Sequence, residues 1–278
     1  MTITKQEYSL VEPELATERH VNMSNRLARA AQGLNLSEKR LVALGLAGTD
    51  SIPLKGLALA ANAGWKMKIS AQEYAEAFDI SSTAAYEQLK DAASNLFERY
   101  VRYQTKGRRG AIVETTFRWV SSAKYADGDG YVELNFSPEI APHLLGLRKQ
   151  FTSYKLKHAA AFESVYAWRL FEVLKSWKSH GFFSTSIEDF WDLMEAPPSC
   201  RKDFKALRVR VIEPSVQAIT TKSAMVVEWK PIRSGSRRVT GLEFRFKPDP
   251  QGQLDINNED DINDGMTETG EFHSDNNF

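Results

Sequence analysis

The chain has 278 residues but only one cysteine, Cys200. A single thiol excludes an internal disulfide and any metal site built from several thiolates. This scarcity is typical of proteins from a reducing compartment. Residues 1–15 lack the apolar run of a signal peptide, and the most apolar stretch, residues 56–65, is too short to cross a bilayer. We therefore expect a cytoplasmic protein without membrane contact.

Motifs for catalysis and metal binding are also absent. The five histidines are isolated in the sequence, and no Gly-x-x-x-x-Gly-Lys-Ser/Thr phosphate loop occurs. We expect no enzymatic activity, no metal and no cofactor. One enzyme alternative is a nickase or recombinase that uses Tyr154 as its nucleophile. A tyrosine that packs in the fold or at an interface is the favoured interpretation of that residue.

The charge balance of the chain hides a strong asymmetry. Lys plus Arg and Asp plus Glu both number 36, yet residues 248–278 contain nine acidic residues and no Lys or Arg. The other residues therefore carry a net charge of +9, and residues 199–247 alone hold 12 basic and four acidic residues. So local an excess is typical of a surface that binds a polyanion, although a solvated basic surface is the alternative. The acidic tail is predicted to be disordered.

The first half of the chain has the order strand, short helix, turn, longer helix and hairpin. Residues 65–69 alternate as a strand does, and Ser70 is placed to cap a helix over residues 71–78. A longer helix follows over residues 83–98. Two β-like segments then flank a basic turn at residues 106–110. This order predicts a helix-turn-helix with a hairpin wing.

The second half repeats that order. Residues 182–185 form the predicted strand, and Ser186 caps a helix over residues 187–194. After a proline-containing turn, a longer helix begins near Arg201, and a hairpin with its tip at residues 234–237 follows. We interpret the two halves as a duplicated architecture.

The remaining segments predict four helices and one strand. Helices are expected over residues 22–32, after a cap at Ser37, from a start at residues 137–139, and over residues 154–180, and a strand over residues 131–136. The fold class is therefore α+β, with two tandem winged-helix domains and a disordered acidic C-terminal tail. The predicted divisions are an N-terminal arm, a first winged-helix domain for dimerisation and DNA contacts, a second for the main DNA recognition, and the tail: residues 1–33, 34–150, 151–247 and 248–278.

A polyanion that fits two winged helices is double-stranded DNA, whose major groove receives the second helix of each helix-turn-helix. In the second domain Phe204, Leu207 and Val211 recur at core spacing, which leaves Lys202, Lys205 and Val209 outward. Arginine can read guanine with two hydrogen bonds, and hairpin arginines suit phosphates. The candidate DNA-binding residues of this domain are Arg201, Lys202, Lys205, Arg208 and Arg210 on the helix and Arg233, Arg237 and Arg238 on the hairpin.

The first domain offers a weaker set, with mixed charge on its helix. Its candidates are Ser82, Thr83 and Lys90 on the helix, beside Glu87 and Asp91, and Arg108 and Arg109 at the hairpin tip. We expect this domain to contact phosphates more than bases.

Several short motifs resemble, in order, those of the iteron-binding plasmid replication initiators (Rep protein family 3). Residues 36–41 (LSEKRL) are similar to the opening of that family, residues 166–172 (YAWRLFE) to its Y..RLYE helix, and residues 208–214 (RVRVIEP) to its basic recognition helix. The resemblance runs from residue 36 to residue 247. The chain departs from the family at two positions: Val209 stands where relatives often have a basic residue, and Ala218 replaces a common Glu. The family's preference for particular DNA bases therefore cannot be carried over.

The resemblance implies a plasmid replication initiator with a role in copy control. Monomers would bind direct repeats (iterons) at the origin, and dimers would bind an inverted-repeat operator and repress the protein's own promoter. The first domain would mediate homodimerisation, and host replication proteins, such as the replicative helicase and the host initiator, would be partners. The alternative is a winged-helix transcriptional repressor without a role in replication. The arrangement of the DNA sites and replication activity discriminate between the two.

Overall fold

The computed structural model describes residues 15–48, 65–107, 110–126, 128–144, 151–235 and 238–248. Within these ranges no helix has the length and apolar character that crossing a membrane requires. The predicted disordered tail falls on residues that lie outside the described ones, apart from Pro248.

The N-terminal segment contains one strand and two helices that share the core with the rest of the chain. A 3-10 turn at Ala16–Glu18 precedes β1 (His20–Ser24), α1 (Asn25–Arg29) and α2 (Leu36–Ala47). The helix predicted over residues 22–32 is therefore wrong in its first part, because residues 20–24 form a strand. The cap predicted at Ser37 is also wrong. Asn35 caps α2 through a capping box, in which its side chain accepts from the Glu38 N–H and the Glu38 carboxylate accepts from the Asn35 N–H.

The first winged helix follows the predicted order and adds one strand. Its elements are β2 (Trp65–Ser70), α3 (Ala71–Phe78), α4 (Ser82–Leu96), β3 (Tyr100–Lys106), β4 (Ile112–Arg118), β5 (Val120–Ala126) and β6 (Tyr131–Phe136). Ser70 caps α3 and Ser81 caps α4, each by accepting a backbone N–H. The strand predicted over residues 131–136 and the cap at Ser70 are both confirmed.

The hairpin that the sequence suggests as the first wing has a different place in the fold. β3 and β4 form a separate two-stranded sheet, whereas β2, β6 and β5 form an antiparallel three-stranded sheet in that order. The wing prediction for residues 100–120 is therefore wrong. The β5–β6 hairpin occupies the wing position, because it pairs with the strand that precedes the helix-turn-helix.

The segment between the two winged helices contains a strand that the sequence analysis missed. α5 (Ala141–Leu144) is followed by β7 (Phe151–Lys155), α6 (Lys157–Ala160) and α7 (Val165–Lys175). The long helix predicted over residues 154–180 is wrong at its start, since Tyr154 lies in β7 and pairs with Val21 of β1. Ser164 caps α7 by accepting from the Tyr166 N–H.

The second winged helix has the same strand order as the first. β8 (Phe182–Ser186), α8 (Ile187–Leu193) and α9 (Pro198–Lys202) lead into a longer helix, and β9 (Met225–Ser234) and β10 (Arg238–Pro248) form the hairpin. The sheet order is β8-β10-β9, which matches β2-β6-β5 of the first domain position by position. The two predicted winged helices are thus confirmed, and the duplicated architecture is visible in their topology.

The two helix-turn-helix turns share an uncommon backbone feature. Asp79 follows α3 with φ 49°, and Glu195 follows α8 with φ 50°; they are the non-glycine residues with positive φ in the described ranges. This conformation costs a non-glycine residue about 1–2 kcal/mol. At Glu195 the cost is offset, because its carboxylate accepts the backbone N–H groups of Gln32 and Gly33 and pairs with the buried Arg169 guanidinium.

A buried ion pair connects α2 with α7. The Lys39 ammonium lies 2.6 Å from the Glu172 carboxylate, and both side chains are essentially inaccessible to solvent. Lys39 also donates to the Gln32 side chain (2.8 Å), and the Tyr154 hydroxyl donates to the second Glu172 oxygen (2.7 Å). Burial lowers the pKa of Lys39, and the adjacent Glu172 carboxylate opposes that shift. The charge of Lys39 therefore depends on its partner.

We predict that Glu172→Leu destabilises the fold by about 3–5 kcal/mol, because it leaves the Lys39 ammonium buried without a counter-charge. The double variant Lys39→Met/Glu172→Leu removes both charges, so its free energy of unfolding should fall much less. Urea unfolding of the wild type, both single variants and the double variant measures the coupling. Additive losses from the two substitutions would contradict the assigned role of the pair.

Candidate nucleic-acid interface

The longest helical stretch of the second domain runs over residues 204–222, and we call it the 204–222 helix. It consists of α10 (Phe204–Leu207), a π-helical turn (Arg208–Ile212) and α11 (Glu213–Lys222). It begins later than predicted. The extended backbone of Asp203 separates it from α9, and the Asp203 carboxylate accepts from the Lys205 N–H (2.9 Å), which caps the helix. Arg201 and Lys202 consequently lie on α9, and not on the same helix as Arg208 and Arg210.

One side of the 204–222 helix packs on the core and the other faces solvent. Leu207, Val211 and Ile212 are buried. Val209 follows Leu207 by two residues, which is about half a turn, and so lies opposite the core. Lys205, Arg208 and Arg210 are exposed beside it. The predicted inward and outward directions of this helix are confirmed.

Arg201 has a structural role in the helix-turn-helix. Its guanidinium pairs with Asp192 (2.6 Å) and donates to the carbonyls of Ala196 (2.9 Å) and Trp191 (3.3 Å). Trp191 and Asp192 belong to the last turn of α8, and Ala196 to the turn that follows. The guanidinium therefore joins the end of α8 to α9, and the Asp192 carboxylate compensates its charge.

The charge of Arg208 is also partly neutralised, by Glu213, and the π turn explains why these two side chains are close. Its Nε lies 3.4 Å from the Glu213 carboxylate, five residues along the chain. In an α-helix, side chains five positions apart point about 140° away from each other. The i→i+5 hydrogen bonding of a π turn brings them towards the same side. Two of the five cations that the sequence predicts on this helix, Arg201 and Arg208, thus have carboxylate partners.

Three exposed cations of α9 and the 204–222 helix are uncompensated. Lys202, Lys205 and Arg210 have no acidic partner among the residues that the structure describes. Lys205 and Arg210 lie on the solvent-facing side of the 204–222 helix, and Lys202 lies on α9 just before it. Free cations beside a helix face can neutralise phosphates or donate to base edges.

The β9–β10 hairpin adds positive charge next to this helix. Arg233 is exposed on β9 and stands opposite Val239, and the exposed Arg238 stands opposite Ser234 at the end of the hairpin. Arg237 lies outside the described residues. Further down the hairpin Glu243 accepts from Lys230 (2.8 Å) and Arg245 (3.0 Å), and the Lys230 hydrogen bond is the main reason for its lowered pKa.

The first domain presents its candidates on α4. Ser82, Thr83 and Lys90 are exposed there, as the sequence predicts. The Lys90 ammonium lies 5.3 Å from the centroid of the Tyr125 ring on β5, so the helix contacts the hairpin in the wing position. Arg108 and Arg109 lie outside the described residues.

Tyr154 is unavailable as a nucleophile in this structure. Its side chain is 2% exposed, and its hydroxyl donates to Glu172 and accepts from the Trp168 indole N–H (3.0 Å). Burial, reinforced by the Glu172 carboxylate, raises its pKa well above the ordinary value. The packing interpretation of Tyr154 is supported, and a strand-cleaving role is not. No group of three potential metal-ligating side chains occurs within the described ranges.

Comparison with known proteins assigns the chain to a family. The model of the initiator replication protein WH1 domain matches residues 20–175, and that of the initiator Rep protein WH2 domain matches residues 186–246. The chain belongs to the initiator replication protein family. The boundary predicted near residue 150 stays a prediction, and the WH1 match includes β7 and α7.

Two known proteins are similar to this chain over most of its length. An uncharacterised 27.6 kDa protein of Escherichia coli is 25% identical over 218 residues, which cover 77% of this chain and 90% of that protein. The crystal structure of the Pi initiator protein in complex with iteron DNA superposes with a TM-score of 0.67 and 22% identity. That match covers 84% of this chain and 99% of the other. At 22% sequence identity, this similarity establishes that the two proteins share a fold and no more.

The sequence analysis missed two features of the initiator's surface. The exposed Ile232 lies one residue before Arg233 on β9, and Glu213 sits against Arg208. The position of Ile232 two residues after Lys230 and four after Glu228, which are exposed, could have indicated the first. No sequence signal indicates the second, because it depends on the π turn.

We predict that Arg201→Ala lowers stability by about 1–3 kcal/mol, since it leaves two carbonyls and the Asp192 carboxylate without their donor. Lys202→Ala is the matched control, because its exposed side chain makes no such bonds, and it should change stability by less than about 0.5 kcal/mol. Thermal unfolding of the full chain measures both. Equal shifts of the two variants would show that the Arg201 contacts do not stabilise the turn.

Proposed function

We propose that this initiator binds double-stranded DNA at the direct repeats of a plasmid origin and there starts replication. The observation that carries the proposal is the exposed, uncompensated positive charge of Lys202, Lys205 and Arg210 on a helix-turn-helix. Family membership supports the role in replication. The Pi initiator, whose fold is similar, has been crystallised with iteron DNA.

In this proposal the 204–222 helix enters the major groove. Its solvent-facing side would place Arg210 against base edges, where a guanidinium can donate two hydrogen bonds to guanine. Lys205 would lie against base edges or the nearest phosphates. Arg208 would contribute with a part of its charge already held by Glu213, and Arg201 would support the turn rather than read bases.

The hairpins would fix the register on the backbone of the DNA. Arg233 and Arg238, which lie near the end of β9–β10, and Arg237 are proposed to contact phosphates, which gives affinity without sequence preference. In the first domain Ser82, Thr83 and Lys90 on α4, with Arg108 and Arg109, are proposed to contact phosphates of an adjacent stretch.

The proposal predicts different effects for helix and hairpin arginines. Arg210→Ala should weaken binding by about 1–3 kcal/mol and relax the preference at particular base pairs. Arg238→Ala should weaken binding to all DNA sequences alike. It should also make the slope of log affinity against log salt concentration shallower by about one. The probe is a duplex that the protein itself selects from a random pool, with titrations at several salt concentrations. Identical behaviour of the two variants, or a wild-type affinity that ignores salt, would contradict these roles.

The same chain is proposed to bind as a monomer at direct repeats and as a dimer at an inverted operator. Two DNA-reading domains in one chain can occupy a repeat unit without a partner, whereas an inverted repeat requires two chains related by a two-fold axis. The dimer would form through residues of the first domain and would repress the chain's own promoter, and host replication proteins would be further partners of the chain.

Sedimentation of the protein on each DNA tests this switch. One chain is expected on a single direct-repeat unit and two chains on the inverted operator. Two chains on the repeat unit, or one chain on the whole operator, would refute it.

A further inference from the structure

Val209 is an apolar side chain on the solvent-facing side of the 204–222 helix. It is 48% exposed, although valine is a residue that proteins usually bury. It lies about half a turn from the buried Leu207, and the exposed Arg208 and Arg210 flank it. Lys205 precedes it by four residues, about one helical turn, and Glu213, which pairs with Arg208, follows it by four.

Within the described residues, Val209 is not among the apolar side chains that pack on the core. No hydrogen-bonding or charge role is open to its isopropyl group, and only contact with another apolar surface removes it from water. The major-groove edges of the four base pairs present one such group, the C5 methyl of thymine. The other groups at those edges are hydrogen-bond donors and acceptors, which suit Arg210 and Lys205.

We propose that Val209 is a specificity-determining residue that contacts a thymine methyl group in the DNA site. This inference rests on the proposed function, because it requires the 204–222 helix to lie in the major groove. The valine selects thymine over cytosine at one position by apolar contact, while its flanking cations hold the helix against the adjacent bases and phosphates. Burial of one methyl group contributes about 0.8 kcal/mol, which corresponds to roughly a fourfold change in affinity.

Replacement of single thymines by uracil tests the contact, because it removes the methyl group and keeps the base pair. The probe is a duplex selected from a random pool by the wild-type protein, with uracil placed at each thymine in turn. For the wild type, we expect about a threefold to fivefold loss of affinity at one or two positions. For Val209→Ala, the thymine and uracil duplexes should bind equally at those positions.

Ile232→Ala provides the matched control, since Ile232 is also an exposed aliphatic residue of this domain but lies on the hairpin. Its uracil profile should equal that of the wild type. A uracil penalty that persists in Val209→Ala, or no penalty in the wild type at any position, would overturn the role of Val209. Failure of the wild-type chain to select any sequence from the pool would instead overturn the proposed function.

Discussion

The buried contact between the Lys39 ammonium and the Glu172 carboxylate is the constraint on which much of this fold depends. Two charges removed from water require each other, because either one alone would carry a large desolvation cost. Glu172 also holds the hydroxyl of Tyr154, and Lys39 holds the side chain of Gln32. Helices α2 and α7 and strand β7 are thereby fixed in one arrangement.

The same network extends to the second winged helix. The backbone N–H of Gln32 is bound by the Glu195 carboxylate, which belongs to the helix-turn-helix turn of that domain. Arg169 of α7 pairs with Glu195 and donates to the carbonyls of Ala30 and Leu193. Glu195, the positive-φ residue of this turn, thus contacts both the N-terminal segment and α7. Contacts of the N-terminal segment thus position the turn of the second helix-turn-helix.

Local sequence signals were sufficient for the elements that they govern. The alternation of residues 65–69 and the serine caps at Ser70 and Ser186 depend on neighbours within a few positions, and all three predictions are confirmed. Strand β7 was missed because its pairing with β1 joins residues more than 120 positions apart. The first wing was misplaced for a similar reason, since only the sheet order distinguishes the β5–β6 hairpin from the β3–β4 hairpin.

The candidate site was predictable as a region but not in its charge balance. Clustered basic residues and core spacing located the 204–222 helix and its outward face. The ion pairs of Arg201 with Asp192 and of Arg208 with Glu213 arise from the turn geometry and the π turn, which spacing rules for an α-helix do not contain. Arg201 and Arg208 are thus held in ion pairs, whereas Lys202, Lys205 and Arg210 have no acidic partner among the described residues.

Replication in trans tests the central claim most directly. A host strain receives a plasmid whose only origin is the fragment that this protein selects, with the gene for the wild type or for the double variant Lys205→Ala/Arg210→Ala supplied on a second replicon. The account predicts stable maintenance with the wild type and loss of the plasmid with the folded double variant. Binding of the fragment by the wild type without any maintenance of the plasmid would contradict it and would favour a transcriptional repressor.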